Sequence, residues 1–95
     1  PDAKALNMPY AITVNGDQLL VADTANSRLL GWQDCAMNSA ANRLMAQPDF
    51  ASKGDNGWGV ARRDSVCWPY GLTCHDGMAV VSDSGNRILL WRIEP

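Results

Sequence analysis

Several residue groups in this 95-residue chain have types and spacing that suit chemistry. The most conspicuous occurs twice, as Asp23, Asn26 and Arg28 and again as Asp83, Asn86 and Arg87. Carboxylate, carboxamide and guanidinium so close together suit a paired binding site. They equally suit a turn, in which Asp accepts backbone donors, Asn tolerates left-handed backbone and Arg crosses to the Asp. Occurrence once per repeat favours the turn, because an active site is usually singular. His75 is the single histidine and is followed by Asp76. A base beside an acid needs a nucleophile to serve, and none is indicated, so this pair reads as a hairpin turn. Cys35, Cys67 and Cys74 make an odd count, which argues against a fully paired disulfide framework. Their plain reading is as small buried thiols, and whether Cys67 and Cys74 pair is left open by their spacing. No CxxC occurs, and His75 has no partner at zinc spacing. Asp55-Asn56-Gly57 has the start of a calcium loop without its alternating ligands or closing Glu. No catalytic residue, metal site or cofactor is therefore expected. Trp58 stands in a Gly-rich loop, outside the repeat, where an aromatic can anchor a partner. With Arg62 and Arg63 nearby it forms the candidate interface. Trp32 and Trp91 are matched strand ends and read as packing residues.

The elements that must position these residues come as a repeat. Met8 to Trp32 and Trp68 to Trp91 share a Pro-Tyr start, an apolar run, a Gly-containing turn, an apolar run ending in Asp, an Asn/Arg turn and an apolar run ending in Trp. Pro9 pairs with Pro69, Gly16 with Gly77, Asp23 with Asp83, Asn26 with Asn86 and Trp32 with Trp91. The predicted strands are 10–14, 18–22, 28–32 and 43–46 in the first copy and 70–74, 78–82 and 87–91 in the second. Asn15-Gly16 and Asp76-Gly77 carry the hairpin signal for two-residue type I′ turns. Residues 33–42 read as a loop and residues 51–66 as a long polar loop. Strands in nearest-neighbour order make antiparallel meanders. The fold class expected is all-β, with two consecutive four-stranded units, 1–47 and 48–95, the second lacking its fourth strand. Because the chain opens on Pro1 rather than Met, it is expected to be a processed form or a piece of a longer protein.

Bulk properties exclude some classes of function. The net charge is −2 and the isoelectric point near 5.0, so nothing draws the chain electrostatically to nucleic acid. No apolar run approaches the roughly 18 residues of a membrane span, and no targeting segment is present. A soluble protein of unassigned compartment is expected.

Repeated four-stranded meanders of about 47 residues are the mark of β-propeller blades, each of which packs both faces on neighbours. Two blades alone leave two apolar faces open, with Leu20, Val21, Leu30, Val80, Val81 and Leu89 as the candidate residues. Each such side chain left exposed forgoes roughly 1.5–3 kcal/mol. The chain is thus expected to self-assemble or to pack against further blades.

PYAITVNGDQLLVADTANSRLL and PYGLTCHDGMAVVSDSGNRILLW resemble NHL repeats, whose pattern runs Pro, small apolar residues, Gly turn, strand ending in Asp, Asn and Arg. LMAQPDF, residues 44–50, is similar to the GQPDF segment between repeats in bacterial NHL proteins, with Ala46 in place of Gly. The turn at Asn86-Arg87 is one residue shorter than that at Asn26-Ser27-Arg28. The resemblance implies a propeller, commonly of six blades, with the first strand of each blade lining a central channel; three such chains would complete it. It further implies a non-catalytic scaffold that binds a protein partner or further blades. Related propellers hydrolyse lactones or cleave amidated-peptide precursors through channel metals, and others bind nucleic acid. The first strands here, YAITV and YGLTC, offer no ligand but the Cys74 thiol, and the acidic balance disfavours nucleic acid.

Overall fold

The computed structural model describes residues 1–33 and 39–93. Cys35 and most of the connection read as a loop after Gln33 lie outside the described residues. Four strands, β1 (Pro9–Asn15), β2 (Gln18–Asp23), β3 (Arg28–Gln33) and β4 (Arg43–Met45), form one antiparallel sheet in nearest-neighbour order. Three more, β5 (Pro69–His75), β6 (Met78–Asp83) and β7 (Arg87–Arg92), form a second. The Pro, Gly, Asn and Asp residues that punctuate the sequence set these ends, since each favours a turn for its own backbone reason.

The two hairpins differ from the sequence expectation in one detail. Asn15 is the last paired residue of β1, opposite Gln18, so the loop is Gly16-Asp17 with positive φ at Gly16. In the second sheet His75 pairs with Met78, and Asp76 and Gly77 both take positive φ. Gly16 therefore corresponds to Asp76 rather than Gly77. A two-residue hairpin accepts Gly-X as well as Asp-Gly, so both loops close the same register with glycine at different positions.

Tyr10 and Tyr70 are the extra residues where the register shifts between Pro9 and Ala11 and between Pro69 and Gly71. These matched bulges were not foreseen, because a single unpaired residue leaves no pattern in a short apolar run. The two rings lie 5.1 Å apart, centroid to centroid.

The sheets stack face on face, closest along β1 and β5. Leu20, Ala22 and Leu29 of the first sheet meet Ala79 and Val81 of the second, all fully buried, with Val66 and Ile93 completing the core. The expectation that Leu20, Val81 and Leu89 sit on open faces is corrected: Leu20 and Val81 belong to this core and Leu89, partly buried, packs against it. The reason is the two-residue period of a strand, which sends neighbours such as Leu20 and Val21 to opposite faces. The large apolar side chains left exposed on strands are instead Tyr10, Ile12 and Val14 of β1, Tyr70 of β5, and Ile88 and Leu90 of β7.

Residues 46–68 run between the sheets and carry a 3-10 turn at Asp55–Trp58. The segment is less solvated than its polarity suggests, for Ser65 and Val66 are fully buried. No helix of the described residues is long and apolar enough to cross a membrane. Burial predicts sharply different costs on truncation. Leu20→Ala should lower unfolding free energy by about 2–5 kcal/mol in a denaturant titration, since it deletes close-packed core atoms. Val60→Ala, at 78% exposure, should change it by no more than about 0.5 kcal/mol.

Candidate functional site

Antiparallel pairing of β2 with β3 sets Asp23 directly opposite Arg28, and pairing of β6 with β7 sets Asp83 opposite Arg87. Each Asp closes a strand and each Arg opens the next, so their side chains meet across the turn. Arg28 Nε donates to Asp23 Oδ2 at 2.8 Å, and both side chains are wholly buried. Arg87 Nε donates to Asp83 Oδ2 at 2.9 Å, with Arg87 at 23% exposure.

The remaining guanidinium donors go to backbone carbonyls and, for Arg87, also to the Asn56 side chain. Arg28 Nη1 donates to the Phe50 carbonyl at 2.8 Å, and Nη2 to the carbonyls of Asp2 and Ala5 at 2.8 and 3.1 Å. Arg87 Nη1 donates to the Arg62 carbonyl at 2.6 Å, and Nη2 to the Ser65 carbonyl at 2.8 Å and Asn56 Oδ1 at 2.9 Å. The carboxylates hold the chain just before each first strand. Asn7 N–H donates to Asp23 Oδ1 at 2.7 Å and Cys67 N–H to Asp83 Oδ2 at 3.1 Å. Ala25 N–H returns to the Asn7 carbonyl and Ser84 N–H to the Cys67 carbonyl. Each pair is thus a clamp that fastens a lead-in segment to the turn between the second and third strands. A buried charge pair tolerates desolvation only when its other donors and acceptors are also met, and here backbone groups meet them.

The two clamps are not identical. Asn26 Nδ2 donates to Asp23 Oδ2 at 2.9 Å, whereas the second Asp83 oxygen accepts the Gly85 N–H at 3.0 Å. The left-handed residue before each Arg is Ser27 in one and Asn86 in the other, so Asn86 corresponds to Ser27 rather than Asn26. The longer first turn adds Thr24, whose fully buried hydroxyl donates to the Pro69 carbonyl of the other sheet. Ser27 Oγ accepts the Trp68 N–H at 3.2 Å. These ties between sheets were missed; their trace in the sequence is the unequal length of the two Asp-to-Arg turns.

The other candidates separate. His75 and Asp76 approach at 3.2 Å but are 82% and 87% exposed, a solvated pair on a hairpin tip. Asn56 serves Arg87 and also accepts from Ser65 Oγ at 2.8 Å. Among the described residues, no group of three or more His, Cys, Asp or Glu is placed to hold a metal ion. Cys67 and Cys74 are free. Cys67 lies two residues before β5 and Cys74 near its far end, and the extended backbone between Pro69 and Cys74 spans roughly 16 Å at about 3.3 Å per residue. A disulfide needs Cα atoms within about 4.4–6.8 Å, so the open question of their pairing is answered by the strand between them.

Trp58 and Arg62 come together on one cleft between the loop and Gln47, which also includes Lys53 and Asp64. Trp58 is 74% exposed, yet its indole lies against Gly54, where an added Cβ would fall 2.3 Å from the ring. Gly54 also takes φ +117°, so two constraints require glycine there. Arg62 Nε pairs with Asp64 at 3.1 Å. Arg63 does not line this cleft; its carbonyl accepts the Trp91 indole N–H at 2.7 Å. Trp32 makes the matching bond to the Ser39 carbonyl at 3.0 Å.

Two outcomes follow from this geometry. Arg28→Ala strands a buried carboxylate and three backbone carbonyls and should cost about 3–5 kcal/mol of stability in chemical unfolding, whereas Arg87→Ala, partly solvated, should cost less. Burial pushes the Cys74 thiol up, against a smaller opposing effect of its hydrogen bond with Thr13. A higher pKa leaves less thiolate at a given pH, so Cys74 should alkylate more slowly than the same thiol in the unfolded chain, and Thr13→Val should slow it further. No family model, curated protein or solved structure matches this chain.

Proposed function

We propose that the two sheets are successive blades of an NHL-type propeller, residues 1–47 and 48–95, and that this segment is a non-catalytic scaffold that binds protein. The blade reading is supported by the repeated meander, the matched bulges at Tyr10 and Tyr70, and the clamp that recurs with the same partners relative to each first strand. A scaffold needs its polar groups for its own backbone, and Asp23, Arg28, Asp83 and Arg87 are used in that way.

The observation that carries the binding reading is Trp58. Its ring is largely in water yet held against Gly54 by the short turn, so little freedom remains to be lost when a partner covers it. Large aromatic surface beside a guanidinium is the composition of an interface anchor. Immobilised chain should retain a partner protein, and Trp58→Ala should weaken that binding roughly 30-fold or more, the effect of a residue contributing about 2 kcal/mol. Far-UV circular dichroism should be unchanged. Equal retention by the variant, or turnover of a lactone by the purified chain, would overturn the reading.

A further inference from the structure

We infer that the open face of the first sheet docks, head to tail, on the open face of the second sheet in another copy of this chain. The inference rests on reading the two sheets as equivalent repeats. Superposing their registers matches Ile12 with Leu72, Val14 with Cys74 and Val21 with Val81. Leu72, Cys74 and Val81 make the second sheet's side of the internal core. The face of the first sheet left open is therefore the counterpart of one already used. The converse also holds. Leu20 and Leu29, which pack on the second sheet, match Val80 and Ile88 on that sheet's far side. Ile12 and Val14 are 67% and 64% exposed, and Ile88 and Leu90 are 61% and 58% exposed. One chain thus holds both halves of the joint it already contains once; on the first sheet's half Val21 and Leu30 are already covered within the chain, and the exposed part runs along β1 at Ile12 and Val14.

Polar detail repeats in the same sense. Within the chain, Ser27 in left-handed backbone accepts the N–H of Trp68, itself at positive φ. The counterparts are Asn86 and Met8, both at positive φ and both exposed. Docking in register brings the Asn86 side-chain oxygen to the Met8 N–H of the next copy. It also brings Tyr70 to the next copy's Tyr10, repeating the ring pair found 5.1 Å apart inside the chain. The joint uses different faces on its two sides, so successive copies either close into a ring or extend. Because the sheets are nearest along β1 and β5, each step turns toward the side of these first strands.

The internal joint supplies the test. Thr13 hydrogen-bonds Cys74 across it, and the counterparts in the joint between copies are Thr73 and Val14. Both are exposed, so replacing them leaves the core untouched. The double variant Val14→Cys, Thr73→Cys, with the native cysteines changed to alanine, should form disulfide-linked multimers on mild oxidation. Each single variant should form dimers at most. Light scattering of the unmodified chain should give an integral multiple of 10.3 kDa, falling to 10.3 kDa in Ile12→Glu. A well-folded 10.3 kDa species for the unmodified chain overturns the inference, as does a multimer whose cysteine pair does not link. Either result leaves the Trp58-dependent binding to stand or fall by its own assay.

Discussion

The Asp23–Arg28 pair is the interaction on which the rest of the first sheet depends. Two fully buried opposite charges are stable together only because every remaining donor finds a carbonyl and the carboxylate finds the Asn7 and Asn26 donors. That requirement is what gathers the lead-in, the turn after β2 and the segment after β4 to a single point. Hydrophobic burial alone is non-directional and would not select these contacts from others of equal area. The second clamp does the same around Arg87, with a loop of different length and composition supplying the carbonyls.

The other organising constraint is that a strand has two faces. Each sheet spends one on the shared core, and the apolar residues of the opposite face must be covered or remain wet. In the first sheet Val21 and Leu30 are nevertheless buried, while Ile12 and Val14, at the edge along β1, are exposed. The second sheet exposes Ile88 and Leu90 on β7. Apolar exposure thus falls mostly on strands, with Met8, Trp58 and Val60 as the exposed large apolar side chains outside them.

Much of the strand layout was legible in the sequence because hairpin chemistry and a repeat reinforce each other. Asp76-Gly77, Pro9 and Pro69 mark boundaries that the structure extends by only a residue or so. The role of Asp and Arg as partners across a turn was also legible, since antiparallel register forces strand-end residues together. What escaped was anything set by distance through space. That Leu20 and Val21 lie in different environments depends on which face another sheet covers, and four apolar letters in a row do not encode that. The part played by Asn56 was hidden for the same reason: Arg87 is 31 residues away in the chain. Trp58 stood out only because it broke the repeat; the glycine beneath it, Gly54, gave its own reason only in three dimensions.

Both arginines grip main-chain oxygens of the segments they secure, and of these contacts only the one to Asn56 involves a side chain. A carbonyl is common to all amino acids, so the attachment is almost blind to which residues pass through it. Apart from Gly54, Asn56 and Ser65, whose own atoms are used, the side chains between Phe50 and Ser65 can therefore be rewritten while the sheets on either side keep their fastening. A fold that anchors its loops by backbone rather than by side chain can diversify those loops without renegotiating its own stability.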